Sequence, residues 1–236
     1  MKYSPLLAMV TGILEFGAGL WTLLDRRSGR RSLFRNVGLI FLFLAGYQFA
    51  EVTVCTQPGN KIWTQLAFLD ITWLPPLGLL LCAQLAAPRN RWLKTAAYAD
   101  FVLGGAFSIW VLAAPQAITK SVCGLVLARY FPTAAFDIAY ALFYQISLLL
   151  IVFGAAAGMA GGHDPVLRKH LANLQTGVLG FILPALAVRI LVTEVQGDLM
   201  PSVMCHFAII LAASLFVLVL RERRAVPERT ASAGSN

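Results

Sequence analysis

Charged residues make up only 13% of this 236-residue sequence, against 58% that are hydrophobic. A soluble globule of this size has too little polar surface at that composition, so a water-exposed fold is excluded. Histidine is scarce, and His163, His170 and His206 form neither an H-x-x-x-H nor an H-E-x-x-H pair, so no metal site is expected. A G-x-S-x-G elbow, a Walker loop and a dinucleotide fingerprint are all missing, and no cofactor is implied. The last apolar stretch, Ser202 to Leu220, contains no lysine, so a retinal Schiff base would have no attachment site. The signature triplets of ordinary G-protein-coupled receptors are missing too: no acidic-Arg-Tyr closes the third stretch and no N-P-x-x-Y lies in the seventh.

What the sequence has is seven long apolar stretches: Ser4 to Leu24, Asn36 to Val54, Trp63 to Ala86, Thr95 to Ala114, Asp137 to Ala160, Leu171 to Thr193 and Ser202 to Leu220. Each is near the roughly 20 residues a helix needs to cross the hydrocarbon. Lipid satisfies no backbone N–H or C=O group, so spans must be helices or a closed barrel, and uninterrupted apolar runs exclude alternating barrel strands. The expected fold is an all-α integral membrane protein, a seven-transmembrane helix bundle over residues 1–221 with a short disordered tail at 222–236.

Cations set the orientation, because Lys and Arg are retained on the cytoplasmic side. Arg26 to Arg35, Arg89 to Lys94, Arg168, Lys169 and the residues after Leu220 carry most of them, whereas the opposite side has Lys2, Lys61, Lys120 and Arg129. The N-terminus is therefore expected outside and the C-terminus in the cytoplasm. The net charge of +8 then reads as attraction to anionic lipid headgroups rather than to nucleic acid, which is not expected as a partner. Met1 to Pro5 is a minimal leader without a small-residue cleavage site, so the first span is expected to stay in place, in a plasma membrane of the bacterial inner-membrane type.

Cys55, just beyond the second span, and Cys123, in the break between Pro115 and Phe136, both fall outside on this topology. They form either a disulfide or two free thiols; spacing does not decide between them. Cys82 and Cys205 read as small core residues. The apolar run Val122 to Leu127 in the same break either folds back over the bundle mouth as a strand or interfacial segment or belongs to a mobile loop.

Functional inference rests on polar residues inside the spans, each costing a few kcal/mol unless paired or hydrated. They cluster toward the outer ends: Gln48 and Glu51 in the second span, Gln65 and Asp70 in the third, Asp137, Tyr140, Tyr144 and Gln145 in the fifth, Arg189 and Glu194 in the sixth, His206 in the seventh. Helical spacing puts Gln48 with Glu51, Asp70 with Trp73, and Asp137 with Tyr140 and Tyr144 on shared faces. Arg189 is the natural counter-ion for Asp70 or Glu51. The cluster is either an outward-facing ligand pocket or an ion-pair network that locks the packing. Deeper lie Glu15 and Asp100, which serve either as structural hydrogen-bonding groups or in proton transfer. Pro75 and Pro76 interrupt the third span and Pro184 the sixth, and kinks are expected there. Gly17 and Gly19, with Gly154 and Gly158, are expected to permit close helix contact.

The Arg-rich first break, then Tyr47, Gln48, Glu51 and Cys55, then Trp63, Leu66, Phe68, Leu74, Pro75, Pro76 and Leu77, resembles the seven-helix sensor module at the N-terminus of some bacterial and archaeal histidine kinases. The resemblance covers about the first ninety residues and implies a sensing role with an undefined ligand. No kinase or cyclase region follows Leu220, so the expected protein is a stand-alone receptor-like sensor that would need a separate signalling partner. The chain is also similar to the small seven-helix membrane terpene cyclases, whose Glu closing the second helix would match Glu51, although no Asp or Glu from Ser202 to Leu220 matches their last-helix acid. That similarity implies Glu51 or Asp70 as an acid acting on an isoprenoid or lipid substrate, with Trp73, Tyr140 and Tyr144 stabilising positive charge.

The topology has a direct test. A cysteine replacing Lys120 is expected to react with an impermeant maleimide in intact cells, and one replacing Lys169 only after permeabilisation; the reverse pattern would invert the bundle.

Overall fold

A computed structural model describes residues 5–25, 30–57, 59–86, 91–124, 128–161, 164–191 and 200–233, with the side chains of 188–191, 200–205 and 225–233 outside the description. In chain order the helices are α1 (Leu6–Leu24), α2 (Arg31–Thr56), α3 (Lys61–Thr72), α4 (Leu74–Leu85), α5 (Arg91–Ala113), α6 (Ala134–Gly161), α7 (Pro165–Leu191) and α8 (Met200–Ala233). A short 3₁₀ turn, Pro115–Ala117, and the strands β1 (Ile118–Cys123) and β2 (Ala128–Pro132) lie between α5 and α6. Among the described residues six helical segments are long and apolar enough to cross a membrane, with α3 and α4 counting as one, Lys61–Leu85. The seventh expected stretch falls within α8.

The helices are sorted as lipid requires. On α6 the apolar Ile138, Leu142, Ile146, Leu149 and Phe153 are exposed, while Tyr140, Tyr144, Ser147 and Gly154 are buried. A soluble helix does the opposite, so this outward stripe is a lipid face. The central elements are α2 and α4, whose residues are largely buried. α1 packs on α2 through small residues: a Cβ at Gly19 would meet Phe41 Cβ at 3.1 Å and the Gly38 carbonyl at 3.2 Å. Gly154 and Gly158 likewise face Cys82, Leu93, Ala86 and Leu171, but Gly17 has nothing within 4 Å, so the contact expected of it is not made.

The break between α3 and α4 follows from proline chemistry. Pro75 and Pro76 have no N–H to give the carbonyls four residues back, so the helix stops at Thr72 and restarts after Trp73. The Thr72 hydroxyl donates back to the Phe68 carbonyl, and the Leu77 N–H reaches the Trp73 carbonyl at 3.2 Å. Pro184 behaves differently and sits inside a helix that continues to Leu191.

The break between α5 and α6 holds a strand pair, as one of the forms expected for it: β1 and β2 form an antiparallel hairpin, with Ser121 opposite Tyr130 and Cys123 opposite Ala128. Val122, expected to be buried with its run, is 46% exposed, and 125–127 lie outside the described residues; Ala128 and Tyr130, both 0% exposed, turn inward instead. Alternation along β2 decides this, since its odd and even positions face opposite sides. α8 continues from Glu222 to Ala233, within the stretch expected to be a disordered tail, and Glu222 belongs to the buried interior.

Cys55 and Cys123 are joined by a disulfide with Cα atoms 5.6 Å apart, tying the hairpin to the end of α2 across 68 residues of sequence. Cys55→Ser is expected to lower stability by about 2–4 kcal/mol, because the unfolded chain loses a long closed loop. A thermal melt in detergent reads the change; an unaltered melting temperature would mean the hairpin is held by packing alone.

Candidate functional site: a buried polar layer at each end of the bundle

At the hairpin end the site is built on the last turns of α2. Tyr47, Gln48 and Glu51 are all buried, Glu51 completely. Tyr47 Oη donates to Tyr130 Oη at 3.2 Å, and Tyr130 stacks edge-on against Phe68 of α3 with ring centres 5.2 Å apart. The hairpin thus inserts one aromatic side chain between α2 and α3, and the disulfide holds it there. Gln48 faces α1, where a Cβ at Gly12 would lie 3.1 Å from its Cβ.

Asp70 lies against the α2 backbone. A Cβ added at Gly46 would collide with its carboxylate, so glycine is what allows this approach, and the Tyr47 N–H is directed at the same group. Trp73 instead packs against Phe101 of α5 at 6.1 Å. Its N–H closes the last turn of α3 on the Asp70 and Ile71 carbonyls, so Asp70 and Trp73 stand one turn apart, Asp70 against α2 and the Trp73 ring against α5. Gln65 also leaves the cluster, donating to the Val111 carbonyl of α5 at 2.8 Å.

Tyr140 and Tyr144 do face inward together, with ring centres 6.0 Å apart. The Tyr140 and Thr72 hydroxyls are 3.2 Å apart, and rings of Phe68, Phe107, Phe136 and Phe143 surround Tyr140. Tyr144 borders an apolar cavity of about 30 Å³ at the centre of the bundle, with Ile40, Pro75, Gly78 and Phe181 among its walls. Asp137, in the first turn of α6, and Gln145 are partly buried, as is His206 near the start of α8. The side chain of Arg189, and Glu194 altogether, lie outside the described residues, so the expected Arg189 counter-ion pair with Asp70 or Glu51 is not among the contacts described.

Of the two deeper acids, Asp100 accepts a hydrogen bond from Ser147 Oγ at 2.6 Å, joining α5 to α6. Glu15 is 1% exposed on the face of α1 between Gly12 and Gly19, and among the described residues neither carboxyl oxygen has a hydrogen-bond partner.

The Arg-rich end holds a second polar layer that the sequence pattern does not single out. His170 Nε2 lies 3.0 Å from Glu222 Oε2, both residues 1% exposed, and Arg30 Nε is 3.6 Å from the other Glu222 oxygen. Beside them Arg223 pairs with Asp25 at 2.8 Å and covers the Trp21 ring at 4.6 Å, while Arg221 donates to Asn173 at 3.0 Å. Sequence reading places His170 in a loop and Glu222 in a tail; α7 in fact begins at Pro165 and α8 continues past Leu220. The available signal is periodicity, since Ala208, Ala212, Leu215 and Leu218 mark a buried stripe that reaches Glu222 at the next turn.

Together these features define a helical bundle of the polytopic membrane class, with buried polar layers at both ends and a disulfide-anchored hairpin at one. Compared with protein-family models the chain matches none, and no curated protein matches it either.

Removing Glu222 leaves His170 and Arg30 without their shared acceptor inside the bundle. Glu222→Ala is expected to destabilise by about 3–5 kcal/mol, the range for breaking a buried pair, and Glu222→Gln by less. Thermal unfolding of the two variants tests this, and equal melting to wild type would make the cluster a surface feature.

Proposed function

We propose that the chain is a seven-span, receptor-like membrane sensor that binds a small ligand at the hairpin end. In this reading the hairpin lies outside, the Arg-rich end faces the cytoplasm of a bacterial inner membrane, and a separate signalling partner takes up the output. The observation that carries the reading is the reach of α2. It bears Gln48, Glu51 and the disulfide at one end, and at the other it begins next to Arg30, which is paired with Glu222 of α8. A ligand that engages Glu51 is then in contact with the element whose far end is held in the second polar layer.

Asp70 adds to this reading, because it sits beside Gly46 on α2 and three residues before the break at Trp73, where a helix re-orients at low cost. Tyr140 and Tyr144 supply polar rings on the facing helix α6. A second reading, acid catalysis by Glu51 or Asp70 on an isoprenoid or lipid, draws its support from the aromatic rings gathered around Tyr140, which suit a developing carbocation.

Glu51→Gln separates these. For a sensor, native mass spectrometry of protein extracted from its own membranes is expected to show a co-purifying small molecule in wild type. The variant should lose it about tenfold or more, as for one charge-assisted hydrogen bond, at an unchanged melting temperature. Equal retention in both forms would remove Glu51 from the site. Loss of turnover on isoprenoid substrates, with binding retained, would favour the enzyme.

A further inference from the structure

We infer that the crevice beside Arg30 and Lys94 at the Arg-rich end is a binding site for the phosphate of an anionic phospholipid headgroup. The crevice has a volume of about 310 Å³ and is lined by Arg30, Ser32, Leu33, Ala83, Gln84, Lys94 and Leu167. It therefore opens between the starts of α2, α5 and α7 and the end of α4. Two of these side chains are cations, Ser32 and Gln84 can donate hydrogen bonds, and among the described lining residues none is acidic.

Its chemistry is divided in the way a lipid is divided. Leu33, Ala83 and Leu167 make an apolar wall toward the bundle, suited to the glycerol and first methylenes, and Lys94 and Ser32 are exposed at the mouth, where a phosphodiester would lie. No side chain caps α2, and its first turn holds no acid, so peptide N–H groups beside Ser32 add to the positive field. A zwitterionic lipid would bring its own cation against Arg30 and Lys94, so an anionic headgroup such as a phosphatidylglycerol is preferred.

Arg30 links this site to the interior. Its guanidinium is partly exposed and only 3.6 Å from Glu222, so a phosphate in the crevice competes with the Glu222 carboxylate for it. The bound headgroup is in this way coupled to the His170 and Glu222 pair.

The test uses the full chain in detergent, stripped of lipid and titrated separately with dioleoylphosphatidylglycerol and dioleoylphosphatidylcholine, with bound lipid counted by native mass spectrometry. Wild type is expected to take up the first phosphatidylglycerol about tenfold more readily than phosphatidylcholine. Lys94→Gln should cut that preference about fivefold, the share of one cation near a headgroup, while Lys169→Gln, an exposed cation outside the crevice, should leave it intact. Equal uptake of the two lipids, or an equal loss in Lys169→Gln, overturns the site. Displacement of phosphatidylglycerol by millimolar inorganic phosphate would overturn the lipid assignment in favour of a soluble anion. Should Lys94→Gln fail to fold, Lys94→Arg replaces it: a retained preference supports the charge-based site and a lost one overturns it.

Discussion

Inside hydrocarbon a peptide group has no water to fall back on, and this single constraint organises the molecule. It makes the long segments helical, and it also decides what happens where a helix must break. Pro75 and Pro76 cannot donate to the Ile71 and Thr72 carbonyls, and the chain turns there with the Trp73 N–H directed at the Asp70 and Ile71 carbonyls. The break is tolerated because it is buried among α5 and α6 rather than facing lipid. The same constraint sends Asn36 to the Leu77 carbonyl at 3.1 Å, pinning α2 to α4 near the break.

Polar side chains obey a related rule. Several are placed where another element supplies contact: Asp70 on the α2 backbone, Asp100 on Ser147, His170 on Glu222. Side-chain hydroxyls spend themselves on carbonyls of their own helix, as at Thr11, Thr22 and Thr53. Glu15 stands apart from this economy, since its two oxygens are buried without a hydrogen-bond partner among the described residues.

The sequence makes the spans legible because apolar length is a direct readout of lipid thickness: among the described residues the expected stretches are helical, the third divided between α3 and α4. Cys55 and Cys123 were recognisable as neighbours only once a topology put them on one side; their pairing depends on the hairpin register, which no spacing encodes. Tyr130 escaped notice since a single aromatic in a mixed polar strand carries no periodic signal. His170 and Glu222 were hidden by their surroundings, a basic break and an arginine run that resemble solvated ends. Their burial comes from pairing across 52 residues, which is a property of tertiary structure alone.

The two tethers on α2 give that helix a mechanical character. Its 26 residues span about 39 Å, one end bound covalently to the hairpin and the other beginning beside an arginine held by α8. Between these tethers the helix carries no proline at which it would kink. Gly38, near its basic end, is where α1 approaches closely: a Cβ there would lie 2.6 Å from Leu23 Cγ and 3.3 Å from the Gly19 carbonyl. The hairpin and the opposite rim are thus joined through one helix rather than through a chain of loops.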